Sequence, residues 1–167
     1  MKKLYFYYID TKYLEYLSKF QKHIWSNDYD GVLRPYIGIV FEINDFKYYA
    51  PLSSFRPNKY GRTFERIDLK IIKVRGRELA FLQLNNMIPV TTNLIELVKI
   101  DSHDKKYQDL LNAELADIRS RTDKILKDAK RVYNLTTKYR NEKANKKLVE
   151  RCYDFKMLEI KLLKYTR

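Results

Sequence analysis

The chain is poor in the residues that redox and metal chemistry use. One cysteine, Cys152, and two histidines, His23 and His103, are all it has in 167 residues. A single cysteine excludes an internal disulfide framework, and no CxxC, HExxH or comparable metal-binding spacing occurs. The two histidines do not form a recognisable acid–base pair of the kind a two-histidine nuclease needs. Glu42, Asp45, Glu65 and Asp68 are scattered along the chain, without the clustering of a two-metal site. No metal and no cofactor is expected. Long apolar runs are missing too: none approaches the ~18 residues that cross a bilayer. The opening MKKLYFYYIDTKYLEYL imitates the front of a signal peptide, but Asp10 and Lys12 interrupt it and no small-residue cleavage site follows. A cytoplasmic protein without membrane contact is expected. Internal repeats and low-complexity linkers are absent, and neither proline nor glycine occurs from Asp104 to Arg167.

What is present is a foldable and strongly cationic chain. Hydrophobic residues make up 45%, which argues against disorder, and the length suits one domain with a real core. That domain spans residues 1–167, sheet-rich over 1–100 and helical over 104–167. Aromatics reach 14%, mostly from 15 tyrosines; a tyrosine buries a large apolar ring with a polar tip, and it also stacks on bases. A formal net charge of +13 calls for an anionic partner: nucleic acid, an anionic membrane surface or an acidic protein.

Periodicity gives the elements. LYFYYI (Leu4 to Ile9) reads as a strand, and Asp10 or Thr11 can cap a helix with Tyr13, Leu17, Phe20 and Ile24 on its apolar face. The turn formers at Ser26 to Gly31 predict a loop. YIGIVFEI, the turn ND and FKYYAPL read as a hairpin, with Pro51 at a strand end or edge. IDLKIIKV, RGR and ELAFLQL give a second hairpin; MIPV opens a short strand or connection, and NLIELVKI fits either a strand or a helix. Leu111, Leu115, Ile118, Ile125, Ala129 and Val132 then recur at helical spacing. A second helix carrying Leu148, Cys152, Phe155, Leu158 and Leu162 follows a break near Asn141 to Asn145. The fold class is α+β: a mostly antiparallel twisted sheet, an N-terminal helix and a C-terminal helical pair.

One stretch between the patterned segments carries chemistry: YYAPLSSFRPNKYGR, residues 48–62. Ser53 and Ser54 end a strand and Arg56 follows. Hydroxyls donate to phosphoryl oxygens, and the planar fork of arginine suits a phosphate. A strand-to-loop Ser-Ser is also an ordinary turn. Arg56, Lys59, Arg62 and Arg66 interleave with Phe55, Tyr60 and Phe64, cations beside rings as single-stranded nucleic acid requires. Lys73, Arg75 and Arg77 at a hairpin turn extend that surface. The two classes left open are an enzyme acting on RNA and a non-catalytic single-stranded nucleic-acid-binding module.

Three blocks, YIDTKYLEYL, YIGIVFEINDFKYYAPLSS and LQLNNMIPV, carry a resemblance to the ToxN/AbiQ family of bacterial type III toxin–antitoxin endoribonucleases. It covers roughly the first hundred residues well; the helical tail is similar in character more than in letters. The resemblance implies a metal-independent ribonuclease with a MazF/Kid-like sheet, cutting RNA by attack of the 2′-hydroxyl to leave a 2′,3′-cyclic phosphate. It implies a cellular or phage RNA substrate, an abortive-infection role in phage resistance, and a repeat RNA antitoxin that occupies the active-site groove in a toxin–RNA assembly. Ser54 falls on the family's principal catalytic hydroxyl and Ser53 on the hydroxyl before it. Arg56 and Arg34 each replace a lysine, and Tyr29 corresponds to a loop tyrosine. Phe55 stands in place of a proline. Tyr36, Lys59, Tyr60, Arg62, Arg66, Lys73, Arg75 and Arg77 are the candidate RNA contacts.

Overall fold

The computed structural model describes residues 2–25, 33–54 and 64–165. Seven strands pair antiparallel throughout: β1 (Tyr5–Ile9), β2 (Tyr36–Ile43), β3 (Phe46–Ser54), β4 (Leu69–Val74), β5 (Arg77–Gln83), β6 (Ile88–Pro89) and β7 (Ile95–Leu97). Their order is β4-β5-β3-β2-β1-β7, with β6 added to β3. Both long hairpins turn over two residues with positive φ, Asn44 and Asp45 in one and Arg75 and Gly76 in the other. This tight connection follows the right-handed strand twist. The ambiguous NLIELVKI resolves into two 3-10 turns flanking the short β7.

Five helices complete the described chain: α1 (Thr11–Ser18), α2 (Lys105–Ser120), α3 (Thr122–Thr136), α4 (Lys146–Arg151) and α5 (Phe155–Tyr165). Asp10 caps α1 by accepting from the Tyr13 amide at 2.9 Å, and Asp104 caps α2 in the same way through Tyr107. α1 stops at Ser18, so Phe20 is exposed rather than on the expected apolar face. The tail is more divided than a helical pair. The first expected helix breaks at Arg121, where the Ser120 and Thr122 hydroxyls turn back to the Asp117 and Arg119 carbonyls. The Arg121 guanidinium is drawn out to the Ile71 carbonyl, Glu65 and Asp117.

The helical tail closes the core over the sheet. Tyr48 of β3 meets Phe41, Tyr133 and Phe155, and the hydroxyls of Tyr48 and Tyr133 both donate to Glu159 Oε1 at 2.7 Å. Lys70 of β4 is buried and pairs with Asp128 of α3, which Lys124 also reaches at 3.0 Å. Asp68 is fully buried, gripped through both oxygens by Arg151 at 3.1 and 3.2 Å. Burial lifts its carboxyl, and the arginines beside it pull it further down, leaving it below the usual carboxylate range. These ties fix the β4–β5 hairpin against α3 and α4, and β5 in turn fixes the end of β3.

Candidate active site

β3 ends at Ser53 and Ser54, which pair with β5, while the residues just before them also meet β2. Against β5, Leu52 lies opposite Leu82, Ser53 opposite Phe81 and Ser54 opposite Ala80. Against β2, Tyr36 lies opposite Pro51, and the Leu52 amide donates to the Pro35 carbonyl at 3.2 Å. The paired ladder ends there, and Arg34 stands two residues before β2. Successive strand residues face opposite sides. Ser53 therefore leaves with Tyr49 and Pro51, and Ser54 with Ala50 and Leu52.

The two hydroxyls differ in their surroundings. Ser53 is half-buried and its Oγ accepts from Gln83 Nε2 at 2.9 Å, while Gln83 Oε1 accepts from Asn86 Nδ2 at 2.7 Å. Ser54 is exposed and its hydroxyl makes no hydrogen bond to another described residue. Arg34 lies with its guanidinium carbon 4.6 Å from the centre of the Trp25 ring, a cation–π stack that orients the fork. Gln83 and Asn86 were not singled out from the sequence. Their signal is the polar pair inside LQLNNMIPV, and it becomes readable only once the register puts Gln83 diagonal to Ser53.

Of the other sequence candidates, Tyr29, Arg56, Lys59, Tyr60 and Arg62 lie outside the described residues. Tyr36 needs correcting as an RNA contact. It is 1% exposed, its hydroxyl donates to the Trp25 carbonyl at 3.0 Å, and burial pushes its phenol well above the ordinary value. A ring so enclosed offers no face to a base. Arg66 is exposed and spends its Nε on Asp68 at 3.3 Å. Lys73, Arg75 and Arg77 stand exposed around the β4–β5 turn. Arg77 is three residues along β5 from the partner of Ser54, about 10 Å at the rise of a strand, so the hairpin tip lies toward the same end of the sheet.

Neither histidine joins these groups. His103 Nε2 meets the Tyr8 hydroxyl at 3.2 Å, and the His23 carbonyl accepts from Tyr153. Among the described residues no three His, Cys, Asp or Glu side chains converge. Cys152 is packed against the core, where burial pushes its thiol up to about 12, too high for a thiolate nucleophile. The groups gathered at the end of β3 are hydroxyl, amide and guanidinium. Together they can align and donate to an anion such as a phosphoryl group.

Comparison with known proteins gives a consistent match. The model of the toxin ToxN of type III toxin–antitoxin systems matches residues 5–163. The endoribonuclease ToxN of Pectobacterium atrosepticum is 31% identical over 138 residues, 78% of this chain and 80% of that protein. The solved structure of AbiQ, a lactococcal anti-phage endoribonuclease of a type III system, superposes with a TM-score of 0.83. It is 25% identical, with 99% of each chain covered. A structure from a bacterial antiviral system regulated by a processed non-coding RNA gives a TM-score of 0.80 at 25% identity, covering 98% of this chain and 99% of that one.

Proposed function

We propose a reaction and a site on one premise: the chain belongs to the ToxN family of type III toxin–antitoxin toxins, and it is an endoribonuclease with an RNA antitoxin as partner. The reaction is metal-independent cleavage within RNA. The ribose 2′-hydroxyl gives up its proton to water as its oxygen attacks the adjacent phosphorus, the bond to the 5′-oxygen breaks, and that oxygen takes up a proton. The products carry a 2′,3′-cyclic phosphate and a 5′-hydroxyl. Such a step asks the protein to align the 2′-hydroxyl and to donate to the oxygens on which charge develops.

The observation that carries this reading is the end of β3. There an exposed Ser54 stands beside a Ser53 held by Gln83, and Arg34, stacked on Trp25, stands two residues before the strand β2 that pairs with β3. Ser54 is the principal donor to the phosphoryl oxygens and Ser53 a second one approaching from the other side of the strand. Arg34 and Arg56 are counter-charges; an arginine stays protonated, so each stabilises charge rather than supplying a proton. Tyr29 completes the set carried by family membership. Lys59, Tyr60, Arg62, Arg66, Lys73, Arg75 and Arg77 line the path of the RNA. An antitoxin of short tandem repeats inhibits by filling that same path, in a toxin–RNA assembly. The toxin acts in the cytoplasm, on cellular or phage RNA, in an abortive response to infection.

The test is a single-turnover assay with EDTA present, using RNA and the same RNA with a 2′-methoxy group at the cleaved position. The expected result is cutting of the first and no cutting of the second. Efficient cutting of the methoxy substrate would make water the nucleophile and overturn the mechanism. Retention of RNA without any cleavage would favour a binding module.

A further inference from the structure

We infer that Gln83 is a positioning residue that turns Ser53 into a committed hydrogen-bond donor toward the substrate phosphate. The inference rests on the proposed role of the β3 hydroxyls and adds to it a residue and a direction. A serine hydroxyl has one hydrogen and two lone pairs, and alone it rotates freely between giving and accepting. Here the ambiguity is removed in two steps. Asn86 Nδ2 donates to Gln83 Oε1 at 2.7 Å, which occupies the amide oxygen and leaves Nε2 to point at Ser53. Gln83 Nε2 then donates to Ser53 Oγ at 2.9 Å. One lone pair of the serine is taken, so its hydrogen must point elsewhere. Ser53, Gln83 and Asn86 are all half-buried, so water competes weakly for these bonds and each strengthens the next. Both amides come from the 83–86 segment, where β5 runs into the 3-10 turn Leu84–Asn86. That turn is anchored by the Asn85 amide on the Asp68 carbonyl and by the Tyr153 amide on the Asn85 carbonyl. The relay therefore sits on fixed backbone.

The experiment compares Gln83→Glu with the wild-type protein across pH, by single-turnover cleavage of one RNA. A carboxylate only accepts, so it draws the Ser53 hydrogen to itself. At pH 7.5 the rate constant should fall about tenfold, less than the ~100-fold or more typical of a lost transition-state donor because Ser54 still donates, while RNA affinity and the thermal midpoint hold. Activity should recover as pH falls through the glutamate titration, ordinarily near 4.3, because a protonated carboxyl can donate again. The wild-type protein should show no such recovery. Asn86→Asp, which repels the amide oxygen and turns Gln83 over, should give the same loss at pH 7.5. In a Ser53→Ala background, Gln83→Glu should cost nothing further; an undiminished loss there would mean direct repulsion of RNA and overturn the inference. Wild-type rates for Gln83→Glu at every pH, with Ser53→Ala impaired, would overturn the inference and leave the site reading standing. Full activity of Ser53→Ala would overturn the inference and remove Ser53 from the site, while Ser54 answers to its own variant.

Discussion

At the scale of the residue, the exposed hydroxyl of Ser54 is the group that nothing in the fold explains. It holds no described partner and no cap, so removing it should leave folding intact. Ser54→Ala is expected to lower cleavage ~100-fold or more, with unchanged circular dichroism and thermal midpoint; normal cleavage by the folded variant would remove Ser54 from the site. Ser53→Ala should cost less, about tenfold, because Ser54 still donates. A different residue shows the cost of close packing. Gly38 lies opposite Tyr49, whose ring occupies the space a Cβ would need and meets Tyr7 edge-on at 5.4 Å. Gly38→Ala should destabilise by about 1–3 kcal/mol, read as a lower urea midpoint with an unchanged slope. Combined with Tyr49→Ala, it should cost less than the sum of the two single losses, because the clash is gone.

At the scale of the element, α2 carries Glu114 on a buried face, where loss of solvent alone raises its carboxyl to about 7. A carboxyl raised in the fold opposes folding wherever the unfolded chain is ionised and the folded one resists ionisation. The cost is absent below about pH 4 and complete above about pH 7. Glu114→Gln should therefore stabilise at pH 8 by on the order of 2–3 kcal/mol and by almost nothing at pH 4. Equal effects at both values would place the cause elsewhere. The elements were legible in the sequence where they are periodic. Both long hairpins, the cap at Asp10 and the stripes of α2, α3 and α5 follow from local pattern. The break at Arg121 has only a weak local signal in the Ser120 and Thr122 hydroxyls, and the Ile71 carbonyl that Arg121 reaches lies fifty residues away. Phe20 misled because its spacing is helical although the helix has ended. At the site, Ser53 and Ser54 were legible as a hydroxyl pair at a strand's end, and Arg34 came from the resemblance. Gln83 waited on the register, which no local signal supplies.

At the scale of the whole molecule, the charge of +13 makes RNA binding salt-dependent, with log affinity falling by about 0.7 per phosphate contact for each unit of log salt. Replacing Lys73, Arg75 and Arg77 together by alanine should flatten that slope by up to about 2 and weaken substrate and antitoxin alike; an unchanged slope would move the RNA away from the hairpin tip. The tyrosines, whose abundance also suits base stacking, serve the interior in many cases. The hydroxyls of Tyr13, Tyr16 and Tyr36 donate to the carbonyls of Pro89, Lys161 and Trp25, and Tyr153 ties to His23. Burial holds the phenols of Tyr13, Tyr36, Tyr48 and Tyr153 above their ordinary value near 10. Burial disfavours each phenolate in the fold, so stability complete below pH 10 drains away above it. In ultraviolet absorbance near 295 nm, these rings should stay silent in alkali until the chain opens and then ionise together. The protein would thereby report its own unfolding in its colour, without an added dye or label.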